Sequence, residues 1–255
     1  IEEGVVRRLG QNLDAPGTTA ICEAHGLVVA PGFVDIHAHG LDPYSSSFQV
    51  RDGVTTALEL ELGVSNIPTW YQAREGHALI NFGASVGHMP IRMKVMNDPG
   101  NMVPIADGAY KPASKEQINE MTSLMHNGLQ NGALAMGFGL AYTPAASRWE
   151  TLEMFRVASN YGASCHVHMR GMGHKEPLNS IEGLSELIAA TATTGAPLHI
   201  VHVNASGQHA VPNLLQMIEE TRSHGLDITT ECYPYTAGMT GIESAILNDG
   251  WRDKF

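Results

Sequence analysis

Positive charge is scarce in this chain of 255 residues: 15 lysines and arginines face 26 aspartates and glutamates, a formal net charge of −11. No basic cluster offsets that balance, so a nucleic-acid partner is not expected. Cysteine is scarcer still. Cys22, Cys165 and Cys232 are odd in number and widely spaced, which does not read as a disulfide framework and fits a reducing, cytoplasmic setting. No apolar run approaches the ~20 residues of a membrane span, so no membrane partner is expected. The opening Ile1-Glu2-Glu3 lacks the pattern of a secretory signal. It also lacks an initiating Met, and the expectation is that the chain begins inside a longer protein. Internal repeats and low-complexity tracts are missing as well. What remains is 43% hydrophobic and 16% charged, enough apolar material for a sizeable core.

From about residue 28 the chain alternates apolar, strand-like runs with amphipathic stretches. Strands are expected over 28–37, 53–61, 79–87, 132–139, 163–169, 197–204 and 226–233, and helices over 67–77, 114–131, 147–161, 178–194 and 211–225. Ile181, Leu184, Leu187 and Ile188 repeat at the helical period. Gly132, Gly162, Gly195 and Gly225 stand where helices end. Repeated strand–helix units imply parallel strands joined by crossovers. Seven of them predict an α/β fold of the TIM (β/α)8 type, with no eighth strand found before Phe255. Reactive groups of such a barrel gather at the C-terminal ends of its strands. Residues 1–30 differ: VVRRLG, NLDAPGTT and AICEAHGLVV look like short β segments, read as part of a small β-sandwich preceding a barrel domain over 31–255.

Polar residues cluster where the barrel places chemistry. His37 and His39 follow the run VVAPGFVDI. Alternate side chains of a strand share a face, so the two imidazoles are spaced to hold one metal ion. In CHVHMRG, His166, His168 and Arg170 share a face opposite Cys165, Val167 and Met169. In LHIVHVNASG, Ile200, His202 and Asn204 alternate with Val201 and Val203. In GVTTALELELG, Leu58, Leu60 and Leu62 are expected against helices, leaving Glu59 and Glu61 inward. Glu231, Tyr233 and Tyr235 share a face of ITTECYPYTAG. Singly, each has an ordinary structural role, such as a hydrogen-bonded core histidine or a solvated carboxylate. Histidines at three strand ends beside two inward carboxylates on a fourth need a common partner. A divalent cation, zinc first, suits imidazole and carboxylate donors.

The segments PGFVDIHAHG (31–40), DGVTTALELELG (52–63), GALAMGFGLAYTP (132–144), CHVHMRG (165–171), PLHIVHVNASG (197–207) and ECYPYTAGMT (231–240) resemble the amidohydrolase superfamily. Within it they resemble the N-acyl-D-amino acid deacylase (D-aminoacylase-like) branch. That resemblance implies a TIM barrel flanked by a β-sandwich and one or two zinc ions. His37 and His39 match its first-strand ligands, His168 its fifth-strand ligand and His202 its sixth-strand ligand. His166 has no clear counterpart and is taken as supporting the ligands rather than as one of them. The activity implied is hydrolysis of a linear amide C–N bond, with a small-molecule N-acyl amino acid or related amide as partner. A homo-oligomer is left open.

Three departures qualify the match. A second-strand cysteine ligand of the relatives is replaced by LELELG, where Glu61 is the nearest substitute and Glu59 the reserve. Asn204 stands where relatives often place a carboxylate-binding lysine. The catalytic aspartate that the family takes from its eighth strand is expected beyond Phe255, so no acid–base residue is assigned, and the chain is expected to be incomplete. Arg170 is the best remaining group for a substrate carboxylate, with a structural ion pair as the equal alternative. Tyr142, Tyr233 and Tyr235 are candidate hydrogen-bond donors to substrate. His88, in SVGHMPIR, receives no role. Two other functions are carried forward. One is opening of a cyclic amide in the manner of dihydroorotase or hydantoinase, against which the expected fourth strand, GALAMGFG, offers no lysine. The other is a metal-binding relative without activity.

Overall fold

A run of apolar residues becomes a central strand only if neighbours satisfy its backbone on both sides, and here each expected strand finds its neighbour in sequence order. The computed structural model describes residues 1–255 except 15, 16, 18, 41, 248–250, 254 and 255. Within it, residues 33–255 form one unit and residues 1–32 another. The larger unit holds β1 (Phe33–Asp35), β2 (Val54–Val64), β3 (Asn81–Gly87), β4 (Met136–Gly139), β5 (Cys165–His168), β6 (Leu198–Ile200) and β7 (Ile228–Thr230). They make one parallel sheet in the order β1 to β7. Parallel neighbours need long crossovers. Those crossovers carry α1 (Pro43–Arg51), α2 (Ile67–Gln72), α3 (His88–Val95), α4 (Asp107–Tyr110), α5 (Lys115–Gln130), α6 (Arg148–Tyr161), α7 (Ser180–Thr194), α8 (Val203–Gly207) and α9 (Val211–Ser223). This is the (β/α) barrel architecture.

The main core lies between the strands and the helices outside them. Phe138 of β4, Val167 of β5 and Ile200 of β6 pack with Met121 of α5, Phe155 of α6, Leu187 of α7 and Leu214 of α9. Each such side chain contributes roughly 1.5–3 kcal/mol on burial. The helices start where their caps dictate. Ser114 and Gln117 form a reciprocal capping box on α5. Ser147 and Asn179 cap α6 and α7 through the backbone N–H groups of Glu150 and Glu182. The four glycines placed at helix ends all have positive φ.

Helices α1, α3, α4 and α8 lie outside the expected helices, and for the two longer ones the cause is simple. Only Ser46 of α1 is buried, so no apolar stripe announces it; Asp42 initiates it by accepting from the N–H groups of Tyr44 and Ser45. In α3 almost every residue is buried, so its HMPIRMKV run shows no face contrast. Of the β segments expected in residues 1–30, NLDAPGTT lies in part outside the described residues; among the described residues of 1–32 there is an isolated antiparallel bridge between Glu2 and Val5, and Ile1, Leu9, Ile21, Leu27, Val28 and Val29 are exposed.

Candidate metal centre

The C-terminal strand ends meet around one carboxylate. Glu61, near the end of β2, is 4% exposed. Its Oε2 lies 3.0 Å from His37 Nε2 and 2.8 Å from His39 Nε2. Its Oε1 lies 2.7 Å from His168 Nδ1 and 3.2 Å from His202 Nε2. The five residues thus form two ligand triads that share Glu61, His37–His39–Glu61 and Glu61–His168–His202, each with donor atoms within 4.8 Å of one another.

Local sequence puts Glu61 there. The register of β2 against β3 is irregular between Glu59 and Val64, and Gly63 has φ +65° beside the backbone of Gly87. A Cβ on Gly137 of β4 would come within 2.6 Å of the Leu60 carbonyl oxygen. Glycine at 137 therefore lets β2 lean inward. His37 and His39 keep their alternation past the end of β1 because the Ala38 N–H still donates to the Leu58 carbonyl, at 2.9 Å. Ala38 packs on Ala57 between them.

The hydrogen-bond chemistry calls for positive charge. His39 Nδ1 lies 2.7 Å from Glu59 Oε2, and His37 Nδ1 contacts Glu231 Oε1. A carboxylate only accepts, so both Nδ1 atoms carry hydrogen. Both Nε2 lone pairs then face Glu61 Oε2, acceptor against acceptor. A cation between them removes the conflict, and protons can substitute. Burial pulls both imidazoles down, but the carboxylates more than offset it: Glu231 and Glu61 push His37 up to about 9, and Glu59 and Glu61 push His39 up to about 10. Burial raises Glu61, yet its four imidazole partners hold it well below the usual carboxylate range. Four neutral-capable imidazoles around one buried carboxylate are a donor set that fits zinc.

The remaining candidates separate into neighbours of this centre and residues engaged elsewhere. Glu59 holds His39 and also accepts from the N–H groups of Leu62 and Gly63. The Tyr142 ring packs edge-on against His168, with centroids 4.9 Å apart. Burial, with Glu61 nearby, pushes the Tyr142 phenol up to about 12. Tyr233 lies 6.3 Å from His202, ring to ring, whereas Tyr235 is 74% exposed. His166 is in neither triad. It packs against His199 at 4.7 Å and meets Ser164 Oγ at 3.1 Å; burial and then His199 push it down to about 3.

Arg170 takes the structural alternative. It is buried, its Nε lies 2.8 Å from Glu186 Oε2, and Nη2 donates to Glu186 Oε1 and the Ala146 carbonyl. Of the two roles expected for it, the ion pair is the one formed: the strand ends at His168, and the next turn carries Arg170 toward α7. Asn204 is also occupied, donating to the Tyr233 carbonyl and accepting from the Tyr233 N–H. Two members of the cluster were not assigned from sequence. Glu231 has no partner legible in the sequence. His199 is the middle residue of β6, and the apolar Leu198 and Ile200 on either side of it are the signal that it faces inward. His88 is fully buried and pairs with Glu150 at 2.7 Å beside Arg92, apart from both triads. A groove of about 610 Å³ opens at the opposite, N-terminal ends of β2 and β3, between Val54, Leu79 and Phe82, and takes in none of these residues.

No family model matches the chain. Curated relatives do. D-aminoacylase of Alcaligenes xylosoxydans xylosoxydans is 27% identical over 277 residues, covering 93% of this chain and 53% of that protein. N-acyl-D-glutamate deacylase of the same organism is 27% identical over 255 residues, covering 86% and 49%. A dihydroorotase of Geobacter metallireducens is 24% identical over 268 residues, covering 94% and 57%. The chain therefore spans about half the length of the curated relatives it matches. Among solved structures, a crystal structure of D-aminoacylase superposes with TM-score 0.66 at 25% identity, covering 82% of this chain and 48% of that one. An N-acyl-D-glutamate deacylase from Bordetella bronchiseptica, complexed with zinc and a phosphonate inhibitor, gives 0.64 at 22%, covering 80% and 48%. In sequence and in fold, the chain resembles the amidohydrolases, and among them the D-aminoacylase-like deacylases.

Proposed function

We propose that this protein is a metal-dependent amidohydrolase that cleaves the linear amide of an N-acyl amino acid, with the D series as the expected substrates. The observation that carries the reading is Glu61, whose two oxygens each face a separate pair of imidazoles. His37, His39 and Glu61 would hold one ion, and Glu61, His168 and His202 a second. Zinc is the ion in the related deacylase structure. When bound, such an ion polarises an amide carbonyl and makes water nucleophilic near neutral pH. The chain's own residues do the rest. Glu59 and Glu231 fix the Nδ1 protons of His39 and His37, so that both rings present Nε2 to the centre. Tyr142 and Tyr233 border it with phenolic groups. Arg170, paired with Glu186, is not among the residues proposed to bind substrate.

Cyclic-amide hydrolysis is the second reading, favoured by the dihydroorotase similarity over 94% of the chain. β4, Met136–Gly139, carries no lysine, against the pattern of many such enzymes. The test loads the full-length protein with zinc and offers N-acyl-D- and N-acyl-L-amino acids, dihydroorotate and a hydantoin. Zinc-dependent release of free D-amino acid is expected. Turnover of the cyclic amides alone would replace the first reading with the second. Bound zinc without turnover of any substrate would leave a metal-binding relative.

A further inference from the structure

Below His37 a line of polar side chains runs between β6, β7 and β1. Glu231 follows β7, and its backbone is fixed to β6: its N–H reaches the Ile200 carbonyl and its own carbonyl accepts from the Val203 N–H. Its Oε1 contacts His37 Nδ1, and its Oε2 lies 3.4 Å from His199 Nε2. His199 Nδ1 lies 2.8 Å from Thr229 Oγ1. All three side chains are largely shielded, His37 and Glu231 at 19% exposure and His199 at 9%. Glu231 only accepts, so His37 Nδ1 carries the hydrogen of that contact. His199 Nε2 faces the second oxygen at 3.4 Å without making a hydrogen bond.

We propose that Glu231, held by its backbone bonds to Ile200 and Val203, is a positioning residue that fixes the tautomer and ring orientation of His37 and thereby sets the affinity of the His37–His39 ion selectively. The inference rests on the metal-centre reading above. Glu231 Oε1 also accepts from the His202 backbone N–H at 3.4 Å, so the two triads differ in the support that reaches their ring nitrogens. Each imidazole of the first has a carboxylate on its far nitrogen, Glu231 for His37 and Glu59 for His39. In the second, His202 Nδ1 is buried with no hydrogen-bond partner among the described residues. Carboxylate-held imidazoles are better oriented and more basic ligands, and losing that support costs about 10–100-fold in metal affinity. Glu231 also links β1 to β7, the two edges of the sheet. The same contact that orients a ligand thus holds the edges of the curl together at the mouth.

The test is cobalt and zinc titration of the full-length protein by chelator competition, with the cobalt d–d spectrum as a second readout. It compares wild type, Glu231→Gln and Glu231→Asp, each also in a His202→Ala background that retains only the His37–His39 ion. In both backgrounds, Glu231→Gln should weaken the His37–His39 ion about 10–100-fold and alter its cobalt spectrum. The ion shared by His168 and His202 should keep its affinity, and Glu231→Asp should recover part of the loss. Two ions bound by Glu231→Gln with wild-type affinities and spectrum would overturn this inference and leave the metal centre standing. Equal loss of both ions would also overturn it, by showing a general structural role. A wild-type protein that binds neither metal would overturn the metal-centre reading and this inference with it.

Discussion

Replacing Glu61 with glutamine keeps the shape of the side chain and removes only the charge that both triads share. It should be the most damaging isosteric change in the chain. An ion that binds only the folded state stabilises a protein by an amount set by its free concentration relative to Kd, about 4 kcal/mol per site at 1,000 times Kd. For a domain of this size each kcal/mol moves Tm by roughly 2–4 °C, so each ion should raise Tm by about 8–16 °C under those conditions. Loss of the only anionic ligand should cost each site at least the ~100-fold seen at the upper end for lost supporting residues. The stabilisation per site then falls to roughly 1.4 kcal/mol, and the zinc-induced shift falls by about 5–11 °C per ion. The assay is thermal unfolding with and without zinc, run beside metal analysis of the dialysed protein. The increment produced by zinc is the diagnostic quantity, because the metal-free protein also loses the contacts its protonated imidazoles make with Glu61. A Glu61→Gln protein that binds the same number of ions and shows the wild-type zinc increment would refute the shared-carboxylate centre.

Two further outcomes follow from the same geometry. His37 and His39 are raised to about 9 and about 10 in the folded chain, above an ordinary value of about 6.5. In the metal-free protein their stabilisation is complete below pH ~6.5 and is lost as pH rises through about 9 to 10. Glu61 is depressed, so its contribution is present above the ordinary carboxylate range and is lost on acidification. Zinc must displace the imidazole protons, so its stabilising increment should grow between pH 6 and 9, with proton release in calorimetry; a pH-independent increment would contradict the assignment. Arg170→Ala should cost roughly 3–5 kcal/mol by stranding Glu186 in a buried site. The loss should be non-additive with Glu186→Gln, and substrate KM should not change at permissive temperature. A raised KM in Arg170→Ala but not in Glu186→Gln would restore the substrate-binding role.

Reading the site from sequence succeeds where a strand persists and fails where it ends. Cys165–His168 is a true strand, so alternation separates the outward Cys165 and Val167 from the inward His166 and His168. Alternation survives at His37–Ala38–His39 because one backbone bond to Leu58 prolongs the pairing. At β6 it fails: the strand stops at Ile200 and His202 takes a left-handed backbone, φ 34° and ψ 56°, at the start of α8. Ile200 therefore goes to the outer core while His202 still reaches Glu61. Its inward direction comes from the turn, and strict parity would have set it beside Ile200. The same turn sends Asn204 to the backbone of Tyr233 and leaves His199 facing Glu231. Glu231 itself is legible as an inward carboxylate, but its partner His37 is 194 residues away, and only the curl of the sheet joins them. Barrel chemistry sits at the C-terminal strand ends, which is where the two-residue period stops applying. In such a fold the residue types of a metal centre can be read from a single chain, whereas the carboxylates that orient its ligands come into view only with the register and the turns.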